Sequence, residues 1–294
     1  MDWERQNKNV LPMLRIDSHQ HFWNYDSEKF DWVTEEMSLI KKDFLPTDLA
    51  PVLQQNNFNG CVTIQVQQTE EENDFLLNTA EGHDFIKGVV GWTDLQSKNV
   101  EERLNRLKSF NKLKGFRHIL QGEKKRDLML SPEFKNGISF LPKYGFTYDI
   151  LIFPDQLAFA RKLVKEFPEQ KFVIDHLAKP YIKDGKIEEW KKDMDAIGSF
   201  KNVYCKISGM VTEADWKKWK PEDFFPYLDV VVKLFGTNRI MYGSDWPVCL
   251  VAASYQQSLS IVTEYFSPFS KNEQDAFFGG NAINSIILIK NLWT

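Results

Sequence analysis

A single-domain (β/α)8 barrel is the fold class that this sequence predicts, and three observations predict it. Eight short β-rich runs recur along the chain, helical patterns fill the intervals between them, and 294 residues is a common length for one such barrel. Strands that alternate with helices imply a parallel sheet, because each helix carries the chain back to the edge where the next strand starts. An open doubly wound sheet is the alternative, but no Gly-rich dinucleotide turn follows the first strand.

The strands are expected at Met13–His19, Gly60–Gln67, Ile86–Thr93, Leu113–Ile119, Phe146–Phe153, Lys171–Leu177, Val203–Gly209 and Arg239–Asp245. Each is a short run rich in β-branched and aromatic residues. Between them, apolar residues recur with the 3.6-residue period of a helix that buries one face. Val100, Leu104 and Leu107 form one such stripe, and Leu157, Ala160, Leu163, Val164 and Phe167 a second. Ile187, Trp190, Met194 and Ile197 form a third, and Leu228, Val231, Val232 and Phe235 a fourth. Gly145, Pro168 and Gly236 fall where helices should stop. No linker, low-complexity tract or internal repeat divides the chain, so residues 1–11 read as an N-terminal extension and 12–294 as the barrel. Two connections are long, His21 to about Pro46 and Ser208 to about Asp223. Both follow strands and are rich in aromatics, which places them on the face where barrel active sites form.

Composition excludes several classes of function. A net charge of −4 with scattered lysines and arginines lacks the basic footprint of a nucleic-acid binder. No apolar run approaches the roughly 18 residues that would span a bilayer. The start MDWERQNKNV has no apolar core of a secretory signal, and Cys61, Cys205 and Cys249 show no CxxC spacing. Reduced thiols in the cytoplasm are the expectation, each acting as a small buried hydrophobe.

The polar residues that interrupt the strands carry the chemistry. His19 and His21, two apart in RIDSHQHFW, share one face of a strand and can converge on one ion or substrate. An HxH pair alone is a weak metal signal; its place at the end of a first barrel strand strengthens it. His176 closes the sixth strand in VIDHLAKP, and Asp245 the eighth in YGSDWP. Alone, each reads first as a hydrogen-bonded histidine or a turn aspartate. Together the four residues occupy one rim. Gln65 and Gln67 share a face of strand two, Arg117 lies in GFRH, and Lys206 and Ser208 share a face of strand seven. Inward amides need partners, which a polyhydroxy substrate would supply. For Lys206, an ion pair with Asp149 inside the barrel is an equally good structural reading. Glu70 to Glu72 read as a solvated helix start rather than as acid catalysts.

With these pieces placed, the sequence resembles the amidohydrolase superfamily, and within it the sugar-lactone hydrolases of the L-fuconolactonase and L-rhamnonolactonase group. The resemblance rests on IDSHQHFW, GFRH, DHLAKP, KISG, GSDWP and FFGGNA, in that order from residue 16 to 282. It implies a (β/α)8 barrel, hydrolysis of a cyclic ester and, in many members, a divalent metal, with zinc the first expectation here. It carries over His19, His21, His176 and Asp245 as the polar centre. Strand four offers Lys114 only near its start and strand five has Asp149 and no histidine, so two metals are not expected. One metal is, although some relatives act without any. The expected partner is a small sugar lactone, with no nucleic acid and no membrane; a homo-oligomer stays open.

The roles that follow are these. Asp245 acts as general base, and His176 and Arg117 stabilise the tetrahedral oxyanion. His19 and His21 hold the metal, with Asp245 or Asp149 completing the set. Trp23, Gln65, Trp92, Lys206 and Trp246 form the substrate wall. A second reading is a metal-dependent decarboxylase or pyrone-dicarboxylate hydrolase on the same barrel. Arg117 stands almost alone among strand-end arginines, which favours a neutral lactone over such carboxylate-rich substrates. A third is a non-catalytic sugar-binding barrel.

Overall fold

A computed structural model describes residues 14–287. The expected extension at residues 1–11 and the expected start of the first strand at Met13 lie outside the described residues. Eight parallel strands follow one another in space as they do in sequence: β1 Ile16–Gln20, β2 Gly60–Ile64, β3 Ile86–Gly91, β4 Leu113–His118, β5 Thr147–Ile150, β6 Phe172–Ile174, β7 Val203–Ile207 and β8 Ile240–Tyr242. The ring closes through a parallel bridge between Gln20 and Trp246, with Asp245 N–H donating to the His19 carbonyl (2.8 Å) and His21 N–H to the Trp246 carbonyl (2.7 Å). This is a (β/α)8 barrel. All eight strands fall where the sequence placed them. Most stop short of their expected ends, because the apolar pattern runs on into the loops after interstrand pairing has ceased.

A helix follows each strand: α1 Pro46–Gln55, α2 Glu70–Glu81, α3 Val100–Leu107, α4 Pro132–Tyr144, α5 Leu157–Glu166, α6 Glu188–Gly198, α7 Phe225–Phe235 and α8 Tyr255–Phe266. The four periodic stripes became α3, α5, α6 and α7. They pack on the outward residues of the strands, such as Phe116, Tyr148, Cys205 and Tyr242. Cys61, Cys205 and Cys249 are free thiols buried in that outer layer.

The barrel interior is layered. Ile16, Val62, Ile64, Val90, Val173 and Met241 form an apolar floor, closed from below by Ala282, Ile286 and Ile287 of the last described helical segment. Above it, strand alternation turns Arg117, Asp149 and Lys206 inward, opposite the outward Phe116, Tyr148 and Cys205. Arg117 pairs in register with Asp149 across β4 and β5. Strand β1 breaks the alternation with a register shift between Asp17 and Gln20. As a result Ile16 joins the floor while His19 still reaches the rim. Asp17 is left to tie β1 to β8, accepting from Ser244 N–H (2.9 Å) and from the hydroxyl of Tyr255 on α8 (3.1 Å).

Candidate active site

At the carboxyl ends of the strands opens a cavity of about 1330 Å³. The two long connections wall it, as expected: Trp23, Tyr25, Phe30 and Trp32 come from the first and Glu213 and Trp216 from the second. His21, Arg117, His176 and Asp245 lie on it, and His19 is fully buried just beneath.

The rim brings four of the expected residues to one point. Asp245 Oδ1 lies 3.3 Å from His21 Nε2 and 3.9 Å from the Nε2 atoms of both His19 and His176. The His19 and His176 rings are 4.3 Å apart, centre to centre. Two glycines make room for this packing. A Cβ on Gly209, at φ +59°, would fall 2.5 Å from His176 Nδ1; one on Gly243 would fall 2.5 Å from His19 Cβ.

Hydrogen bonds assign the imidazole tautomers. His21 Nδ1 donates to the Ile64 carbonyl (2.7 Å), which turns Nε2 toward the Asp245 carboxylate at 3.3 Å. Arg117 Nη1 donates to His19 Nε2 (3.3 Å), which leaves the His19 proton on Nδ1, 3.3 Å from Asp175 Oδ1. Burial holds His19 well below the ordinary histidine pKa and lowers His176 to about 4, so both are neutral at pH 7. Burial alone would raise the Asp245 carboxyl, but His176 charging at low pH, with the hydrogen bond from His21, holds it well below the usual carboxylate range. Two imidazole nitrogens and one carboxylate oxygen therefore converge, with His19 Nε2 open to an ion once Arg117 Nη1 turns away from it. That donor set fits a divalent cation: imidazole nitrogens and a carboxylate oxygen within reach of one ion, with the Asp175 carboxylate behind His19 fixing its orientation. His19, His21 and Asp245 form one candidate ligand group, and His19, Asp175 and His176 an overlapping one, each with its ligand atoms within 4.8 Å.

Several expected site residues sit elsewhere than in the cavity wall. Gln65 does not face substrate space; its Oε1 accepts from Arg117 Nε (3.1 Å) and Nη2 (2.9 Å). Lys206 is fully buried between Asp149 Oδ2 and Asp175 Oδ1 (3.1 Å). Asp149 is spent on that pair and is not in either candidate ligand group. Burial lifts Asp149 to about 6, with Lys206 pulling the other way. Trp92 donates from its indole to His118 Nδ1 (3.3 Å), and Trp246 packs edge-on against Phe22 and Phe44. Of the expected wall, Trp23 lines the cavity. Arg117 also differs from expectation in one respect: all five of its N–H groups are engaged, by Gln65, Asp175 and His19.

Two carboxylates stand out beyond those expected. Asp175 is the hub of the buried layer, touching His19, Arg117 (3.0 Å) and Lys206; these cations and His19 outweigh burial and hold it well below the usual range. Alternation would turn it away from His176. Instead β6 ends at Ile174, and His176 to Lys179 all take positive φ, so both side chains reach the interior. Glu72 is not solvated: α2 starts at Glu70 as expected, but Glu72 folds back to accept from Val66 N–H (2.9 Å) and Gln67 N–H (2.8 Å). Burial raises it to about 7. The TEEEN run offers no signal that separates its third glutamate from the other two.

A barrel that gathers imidazoles and a carboxylate at the carboxyl ends of its strands defines a class of enzymes built around one polar rim. The chain belongs to the amidohydrolase family, whose model matches residues 16–284. It is 35% identical over 280 residues to the L-fucono-1,5-lactonase of Burkholderia multivorans, covering 92% of this chain and 94% of that protein. An L-rhamnono-gamma-lactonase of Scheffersomyces stipitis is 27% identical over 200 residues, 58% of each chain. In structure the chain is similar to a B. multivorans amidohydrolase crystallised with bound zinc, with a TM-score of 0.89, 34% identity, and 92% and 98% of the two chains covered.

Proposed function

We propose that this protein is a lactonase that opens a sugar lactone of the L-fucono-1,5-lactone type to the aldonic acid. The observation that carries the reading is a cavity that joins the His19–His21–His176–Asp245 rim to a largely acidic and aromatic wall. Arg117 and Lys179 on that wall are already paired and Lys29 is its one further lysine or arginine among the described residues, whereas Asp26, Asp31, Glu71, Glu72 and Glu123 also line it. Such a wall disfavours the polycarboxylates that the decarboxylase and pyrone-dicarboxylate reading requires, and it suits a neutral polyhydroxy ring. The lactonase relative at 35% identity supports the same substrate class.

A divalent metal, zinc by analogy with the similar crystal structure, would be held by His19, His21 and Asp245 and would acidify water and polarise the lactone carbonyl. Asp245 turns Oδ1 to the imidazoles, which leaves Oδ2 to take a proton from the attacking water and return it to the ring oxygen as the C–O bond breaks. His176 is neutral at pH 7, and Ser208 Oγ at 2.9 Å from Nδ1 can donate there, leaving Nε2–H to stabilise the oxyanion. Arg117 fixes His19 and Gln65; its longest contact, Nη1 to His19 at 3.3 Å, is the one a substrate oxygen can take over. The free thiols at Cys61, Cys205 and Cys249 accord with a cytoplasmic enzyme.

The test is a pH-indicator screen of aldono-1,4- and 1,5-lactones with wild type and Asp245→Asn. Acid release by wild type and a fall in kcat of at least about 100-fold in the variant are expected. Variant activity within a few-fold of wild type would show that the base is another group.

A further inference from the structure

We propose that Lys179 and Glu213 are the specificity-determining pair of this site, reading two adjacent hydroxyls of the lactone ring. The inference rests on the lactonase reading above. Lys179 Nζ lies 2.9 Å from Glu213 Oε1, and each side chain is 17% exposed on the wall of the cavity that holds His176 and Asp245. The ammonium has three N–H donors and spends one on Glu213, while Glu213 keeps Oε2. The pair thus offers spare donors beside a spare acceptor. Adjacent hydroxyls, each of which donates and accepts, match that arrangement.

The backbone beneath the pair argues against a merely structural salt bridge. His176, Leu177, Ala178 and Lys179 have φ values of 53°, 55°, 56° and 52°. Side-chain-bearing L residues adopt this left-handed region at an energetic cost, and four in succession persist only where the surroundings over-determine them. Here Lys179 N–H donates to the His176 carbonyl (2.7 Å), and the Trp190 indole on α6 donates to the Leu177 carbonyl (2.7 Å). The Phe153 ring backs the ammonium, with its centre 5.7 Å from Nζ. An ion pair on an ordinary loop needs none of this. What the turn achieves is a fixed offset between His176 at its start and Lys179 at its end. The ring atoms that Lys179 grips are thereby held at a set distance from the carbonyl that His176 faces.

The experiment compares L-fucono-1,5-lactone with its 2-, 3- and 4-deoxy analogues, using wild type, Lys179→Met and Glu213→Gln, with folding checked by circular dichroism. In wild type, removing a hydroxyl that the pair reads is expected to lower kcat/KM by about 10- to 100-fold, the worth of a hydrogen bond to a charged group. In each variant that penalty should shrink to a few-fold, with the loss on the parent lactone appearing mainly in KM. Glu213→Gln keeps the side chain's shape and decides the matter if Lys179→Met does not fold. Discrimination in the folded variants equal to that of wild type at all three positions overturns this inference alone. A wild type that opens no sugar lactone overturns the functional reading, and this inference with it.

Discussion

Lys206 offers the sharpest test of how the site is supported. It is fully buried, bonded to Asp149 Oδ2 and 3.1 Å from Asp175 Oδ1, while Arg117 lies 3.0 Å from Asp175 Oδ2. Two cations thus balance two carboxylates in a layer that excludes water. Lys206→Met leaves Asp149 without a cation, and breaking a buried pair from one side typically costs about 3–5 kcal/mol. The cost has a ceiling, because Asp149 can take up a proton instead. Burial already lifts its pKa to about 6, and losing Lys206 removes the main charge that pulls it down. The sign follows. A carboxyl whose folded pKa lies above its unfolded value binds more protons folded than unfolded, so stability falls as pH rises between the two. The deficit of Lys206→Met should therefore be smaller at pH 5 than at pH 7.5. Lys206→Met/Asp149→Leu removes both charges, leaves the Arg117–Asp175 pair, and should recover most of the loss. Urea unfolding followed by tryptophan fluorescence at both pH values measures this, with m-values checked for constancy. A single variant within about 1 kcal/mol of wild type at pH 7.5, or a double variant as unstable as the single, would refute the charge-balance reasoning.

Other consequences can be checked alongside it. Glu72, raised to about 7 from an ordinary 4.5, should make wild type lose about 3 kcal/mol relative to Glu72→Gln as pH rises from 4.5 to 7. Parallel urea titrations of the two proteins across that range would read the difference. Zinc added to chelator-treated protein should raise the thermal midpoint in wild type and leave His19→Asn unmoved, as expected for a ligand that binds only the folded site. The acidic cavity should expel an anionic product, so aldonate inhibition should be weak and should strengthen with added salt; tight inhibition at low ionic strength would contradict that charge balance.

Much of this protein is written in local pattern. The apolar runs of the eight strands and the stripes of α3, α5, α6 and α7 follow from side-chain periods of 2 and 3.6, which one stretch of chain contains by itself. The rim was legible for the same reason: His19, His21, His176 and Asp245 lie at or just past the ends of their strands, and strand ends on one face of a barrel meet. Tertiary structure decided who partners whom. Gln65 grips Arg117, and Lys206 sits between Asp149 and Asp175, because strands far apart in sequence face each other across the barrel. It also decided where alternation fails. The register shift in β1 separates Asp17 from His19, and the left-handed turn after Ile174 brings Asp175 and His176 to the same interior. Both departures place non-glycine backbone or strand register against local preference, and only the packing around them can hold it there.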